Sequence, residues 1–132
     1  MKKKIFGFGL GIIIMIAFTA CEPERSFDSS LLIGKWSRTS PYATANDGGL
    51  EFYRYDRGGT GATWDTSSSQ DVSEEEAQTF SWTLEKDLLS FLYDMVINGT
   101  KVPKYYTVTV LNANTLTYKD DFGKSFTFKK LQ

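Results

Sequence analysis

The side chains able to do chemistry are few. The chain has no histidine and a single cysteine, Cys21. No imidazole can therefore act as a base or a metal ligand, and a lone thiol closes no disulfide within the chain. The serines have no evident partner base. Paired carboxylates can serve as acid and base, and Asp120-Asp121 and Glu74-Glu75-Glu76 qualify by residue type. Both runs fall in polar, turn-like stretches, where solvated charge is the ordinary role. Asp56, Asp120 and Asp121 do not follow the spaced-oxygen pattern of a calcium loop. The expectation is a non-enzyme without metal or cofactor. Apolar recognition is the chemistry that remains. Aromatic residues make up 15% of the chain, and Trp64, Trp82, Tyr93 and Tyr106 join large apolar bodies to polar tips. They are the candidate lining of a pocket for a small hydrophobic ligand.

Strands are the elements that would position these rings. Phe80, Trp82 and Leu84 alternate with Ser81, Thr83 and Glu85, the period of two of a half-buried strand. Leu89, Phe91, Tyr93 and Met95 repeat the pattern, as do Tyr106, Val108 and Val110, and then Phe126 and Phe128. Residues 32–39, 50–55, 61–64 and 115–119 complete a set of about eight short strands. Turn chemistry separates them: Asn46-Asp47-Gly48-Gly49, Asp56-Arg57-Gly58-Gly59, Glu85-Lys86-Asp87, Asn98-Gly99, Asn112-Ala113-Asn114 and Asp120-Asp121-Phe122-Gly123. Glycine and asparagine tolerate the positive φ of tight hairpins. The Asn98-Gly99-Thr100 sequon reads as one of these turns. Residues 66–77 carry no strand period and read as a long exposed loop, with a short helical turn capped by Ser73. Evenly spaced strands of this kind indicate an antiparallel sandwich or barrel.

The N-terminus carries a different signal. Lys2, Lys3 and Lys4 precede an apolar run of about 16 residues, and small residues follow at Thr19 and Ala20. A membrane-spanning helix needs about 20 apolar residues, and this run is shorter and glycine-rich. The segment reads as a secretory signal. Phe18-Thr19-Ala20-Cys21 resembles the lipobox of bacterial lipoproteins, with Phe18 where that family prefers leucine. The resemblance implies cleavage between Ala20 and Cys21 and a diacylglycerol on Cys21. It places the protein at the bacterial cell envelope, expected at the outer membrane, held by lipid rather than by a protein surface. Residues 1–20 would be the signal peptide and residues 21–30, polar and containing Pro23, a lipidated tether. Removing residues 1–20 takes away three lysines, leaving 12 basic against 16 acidic residues, a net charge of −4 from −1. That balance argues against nucleic acid as a partner.

Residues 31–132 carry a second resemblance. Leu32-Ile33-Gly34-Lys35-Trp36 holds a Gly-x-Trp that looks like the entry motif of lipocalins. Leu50-Glu51-Phe52, Gly59-Thr60-Gly61, Phe80-Ser81-Trp82 and the closing Phe126-Thr127-Phe128-Lys129-Lys130-Leu131 follow in an order similar to small bacterial lipocalin-like lipoproteins. The resemblance implies an all-β domain, an eight-stranded antiparallel up-and-down barrel with one closed end and one open mouth. It gives Gly34 and Trp36 structural roles at the closed end, with Lys129 or Lys130 laid against Trp36. The interior of eight strands is filled by side chains or holds one small ligand, and the same aromatics serve either state. Two functions follow as expectations. One is a lipid-anchored barrel that binds a small hydrophobic molecule. The other is a filled barrel acting as a platform for another envelope protein, chiefly through residues 66–77.

Overall fold

A computed structural model describes residues 25–132 of the chain. The Ala20–Cys21 junction, the signal segment and the first residues of the expected tether lie outside the described residues.

Eight strands follow one another in chain order: β1 (Gly34–Thr39), β2 (Leu50–Tyr55), β3 (Thr60–Asp65), β4 (Gln78–Glu85), β5 (Leu88–Ile97), β6 (Thr100–Leu111), β7 (Thr115–Lys119) and β8 (Ser125–Lys130). Each pairs antiparallel with its chain neighbours, and β8 returns to β1, so the sheet closes into an up-and-down barrel. Closure leaves no sheet edge along the paired length. The β5–β6 hairpin turns on Asn98 and Gly99, at φ of 53° and 80°, the positive values a two-residue hairpin needs. β6 begins earlier than the alternation at Tyr106, Val108 and Val110 indicates, because Lys101, Pro103 and Lys104 break the apolar period. Pro103 is tolerated there because the first half of β6 pairs only with β5; pairing with β7 begins at Thr107↔Lys119.

The inward phase is set by Trp36 on β1, Tyr53 and Tyr55 on β2, Phe80 and Trp82 on β4, Phe91 and Tyr93 on β5, Tyr106 on β6, Tyr118 on β7 and Phe128 on β8. Their rings meet near the axis. Phe91 lies against Tyr53, Tyr55, Phe80, Tyr93, Tyr106 and Tyr118 with centroid separations of 5.0–6.5 Å. Tilted and edge-on pairs dominate, as the ring quadrupoles favour. Gly61 stands where its Cβ would strike the Arg54 carbonyl and the Phe80 ring; a side chain there would push the β2–β3 wall off the core.

One end is sealed. A 3-10 turn, Ser29–Leu31, capped by Asp28, lies across it, and Leu32 and Trp36 are fully buried. Gly34 bends the chain into the barrel at φ +129°, a backbone that side-chain-bearing residues rarely adopt. The Trp36 Nε1 donates to the Leu32 carbonyl at 2.9 Å. Of the two lysines expected beside that ring, it is Lys130: its Nζ sits 4.8 Å from the Trp36 ring and donates to the Ile33 and Leu31 carbonyls at 2.6 and 3.2 Å. Phe27, read from sequence as tether, is half-buried against the core, and its amide bonds to the Lys86 carbonyl.

Candidate functional site

At the opposite end the alternation carries charge inward. Arg38 follows Trp36 by two residues and Glu51 precedes Tyr53 by two, so both point into the barrel and face each other across β1 and β2. The Arg38 Nε donates to Glu51 Oε1 at 2.6 Å. The guanidinium carbon also lies 5.1 Å from the Phe126 ring and 5.5 Å from that of Phe128, within cation–π range. Asp65, opposite Glu51 on β3, accepts from Ser40 Oγ at 2.6 Å and from the Ser67 amide at 2.9 Å. Burial pushes its carboxyl up, but those hydrogen bonds and the nearby Arg38 outweigh it and hold the group below the ordinary carboxylate range.

A layer of phenols lies beneath these charges. Burial lifts the Tyr53, Tyr55 and Tyr118 hydroxyls well above their ordinary pKa, raises that of Tyr106, and takes that of Tyr93 to about 12. The Glu51 charge adds to the effect at Tyr53, Tyr93, Tyr106 and Tyr118. The Tyr55 hydroxyl is sealed from solvent and has no partner meeting hydrogen-bond geometry. These phenols stay neutral across the physiological range, so they offer hydroxyls, not charge.

Of the pocket candidates, Trp82, Tyr93 and Tyr106 face inward. Trp82 is deep, near the sealed end, where its Nε1 donates to the Thr60 carbonyl at 2.8 Å and its ring meets Tyr55 edge-on at 5.7 Å. Tyr93 and Tyr106 stand higher, around Phe91. Trp64 does not join them. Its register partner is Phe52, in the outward phase of β2, and the two rings stack at 5.1 Å and 11° on the outer wall. It is buried from outside, because residues 66–77 fold back over it. The Val72 amide bonds to the Asp65 carbonyl, and Glu74 pairs with Lys35 and Arg54 on the outer wall, each at 2.8 Å. The segment read as an exposed interaction loop is thus strapped down, with Ser67 fully buried. The expected short turn is present as a 3-10 turn, Glu74–Glu76, but the Ser73 side chain makes no capping hydrogen bond to its backbone.

The wall of the open half parts in three places. Pairing of β3 with β4 stops at Thr63↔Gln78, and a cleft of about 380 Å³ opens there between Trp64, Val72, Ala77 and Glu51. Before β6 meets β7, a cleft of about 420 Å³ lies between Tyr105, Tyr106, Phe122 and Phe126. β8 meets β1 only at Trp36↔Lys130 and Ser37↔Lys129, leaving a cleft of about 320 Å³ above. Arg38, Glu51 and Asp65 were missed by the sequence reading, although the signal existed: each keeps the inward phase of its strand. Among the described residues no group of His, Cys, Asp and Glu is arranged to hold a metal ion.

No family model matches the chain, and no curated protein matches it. Its fold is similar to that in the crystal structure of a lipocalin-like protein from Bacteroides thetaiotaomicron VPI-5482. The match covers 76% of this chain and 97% of that one, with a TM-score of 0.51 and 15% identity. At that identity the likeness establishes the architecture, a lipocalin-like eight-stranded barrel.

Proposed function

We propose that this protein is a lipid-anchored, non-catalytic binding protein of the bacterial cell envelope, and that it takes a small hydrophobic ligand at the open half of its barrel. The observation that carries this reading is the contrast between the two halves. The sealed half is filled ring against ring by Trp36, Tyr55, Phe80, Phe91 and Phe128, each at most 1% exposed. The open half has the three clefts, each at the lower end of the size range of small-molecule sites, roughly 300–1,000 Å³. The ligand therefore lies in the wall, not in a deep central cup. Signal and lipobox support the anchor, and two acyl chains hold a protein stably on a bilayer. The lipid would enter at the sealed end, where Phe27 docks, with the open half directed away from the bilayer.

The exposed apolar rim favours a second reading, a platform for another envelope protein. Phe122 is 95% exposed, Val96 63% and Ile97 54%, all on turns or strand ends at the open half. Side chains so exposed on a small soluble domain are a common mark of a contact surface when they cluster.

Two measurements test the proposal. Cys21→Ala is expected to move the protein from the membrane fraction to the soluble fraction; unchanged detergent partitioning would remove the anchor. An uncharged lipophilic fluorophore is expected to quench tryptophan emission saturably at one site per chain, through Trp64, which lines the cleft between β3 and β4. A flat titration at concentrations well above micromolar would leave only the platform.

A further inference from the structure

We propose that the outer wall of β4, β5 and β6 is a self-association face, and that its occupant is a second copy of this chain lying parallel to the first about a two-fold axis along β5.

The alternation that turns rings inward on these strands turns another set outward. Register arranges that set in rows: Ser81, Leu92 and Pro103; then Thr83, Ser90 and Tyr105; then Glu85, Leu88 and Thr107. All keep the outward phase, so they form one continuous surface. The first two rows line a groove of about 290 Å³. Neither of those rows carries a charge, and Leu88, Leu92 and Tyr105 are 44%, 41% and 54% exposed. The solvent face of an antiparallel sheet is ordinarily polar, and 23% of this chain is charged. An uncharged apolar strip on such a surface marks a contact site.

The distribution of bulk identifies the partner. Small side chains, Ser81 and Thr83, stand on β4, and large ones, Pro103 and Tyr105, on β6. Leu88 and Leu92 lie between them on β5. Turning a second copy by 180° about an axis along β5 sets its β6 over the first copy's β4 at the same height. Tyr105 of each copy then enters the groove over Thr83 of the other, Pro103 meets Ser81, and Leu88 and Leu92 meet their own counterparts. An axis across the strands would set β6 on β6, bulk against bulk, and leave a void between the two β4 strands. Charge agrees with the parallel arrangement. At the open end of the face Asp94 accepts from Thr79 Oγ1 at 2.7 Å and from Lys101 Nζ at 3.2 Å. Lys101 of one copy passes over Thr79 of the other and so reaches that copy's Asp94, and the two pairs balance across the axis. Both chain entries, near Phe27, fall at the same pole, as two anchors in one bilayer require.

Four rows about 6.8 Å apart on strands about 4.8 Å apart span roughly 20 by 10 Å. That is well below the roughly 800 Å² per partner of a standard stable complex. The pair is therefore weak in free solution and forms where lipid confines both copies to one surface, which raises their effective concentration. Its strength rests on the anchor proposed above; its geometry does not.

The test is cross-linking of the full chain in membranes with a short bismaleimide. Leu92→Cys, on the axis, is expected to give a covalent pair as its main product. Thr117→Cys, on the outer face of β7 across the barrel, should give only the background of chance collisions. Adding Tyr105→Glu to Leu92→Cys should cut the product roughly fivefold or more, because an unpaired charge then enters the groove of the other copy. Adding Phe122→Glu, on the rim, should leave it unchanged. A mixture of Thr83→Cys and Tyr105→Cys chains should cross-link better than either chain alone. These side chains lie on the outer surface, and an unchanged circular dichroism spectrum verifies the barrel in each variant. Equal products from Leu92→Cys and Thr117→Cys would overturn the face, as would a Leu92→Cys pair that Tyr105→Glu does not weaken. Efficient pairing of Tyr105→Cys alone would overturn the parallel arrangement. Repeating the Leu92→Cys and Thr117→Cys comparison in Cys21→Ala separates face from anchor. The same preference is expected there at higher protein concentration, and its loss at every concentration would overturn the face.

Discussion

Phe91→Ala is expected to lower the unfolding free energy by about 3–5 kcal/mol, which for a domain of this size is a large part of the 5–15 kcal/mol available. Thermal unfolding followed by far-ultraviolet circular dichroism reads the change. The reason is position. Phe91 is 1% exposed and is the ring on which β2, β4, β5, β6 and β7 converge. Deleting it removes its own burial, leaves a void, and strips edge-on partners from Phe80, Tyr106 and Tyr118. Phe122→Ala is the matched control. It deletes the same atoms from a ring that is 95% exposed, so the shift should stay within about 0.5 kcal/mol. Equal effects from the two substitutions would mean that the rings along the axis do not hold the barrel.

Raising the pH above 10 should unfold the protein in one cooperative step. Tyr53, Tyr55, Tyr93, Tyr106 and Tyr118 all resist ionisation in the folded state, chiefly because burial penalises the phenolate. Below pH 10 these phenols are neutral in both states, and stability is at its full value. Above it the unfolded chain loses protons that the folded chain keeps, so stability falls as pH rises. For Tyr93 alone, moving from 10 to about 12 corresponds to roughly 3 kcal/mol. The more deeply buried Tyr53, Tyr55 and Tyr118 extend the loss further up the scale. Phenolate absorbance from the five should appear together with loss of the barrel's circular dichroism. Ionisation of these five phenols with an intact barrel signal would show that they are wetter than the packing allows.

Much of the architecture was legible because it is local. Residues 50–55 and 115–119 were bounded by turn chemistry and match β2 and β7. The rings of β4, β5 and β8 keep a strict alternation, and that period alone turns Phe80, Trp82, Phe91 and Phe128 inward. The failures are non-local. Trp64 looks like a core residue, and it is buried, but by a segment that returns from outside. That return depends on Glu74 reaching Lys35 and Arg54, 39 and 20 residues away, and no short-range pattern encodes such a reach. The charged mouth was overlooked for the opposite reason. Arg38 and Glu51 fit the inward phase, but charge is ordinarily assigned to the wet face of a strand. Two opposite charges that share the inward phase and sit in register across one hairpin can satisfy each other, and here they do.

The Lys130 clasp has a consequence for handling the molecule. Phe27 docks at the sealed pole, and Lys130 grips the carbonyls of Leu31 and Ile33 while the Leu131 amide bonds to Lys35. Both extremities of the domain therefore meet at one pole. A reporter fused after Gln132 would hang beside the chain's own entry point, leaving the rim unobstructed. Stitching the two extremities together and cutting at Asn98–Gly99 would yield a permutant with the same wall and a new pair of ends at the far pole.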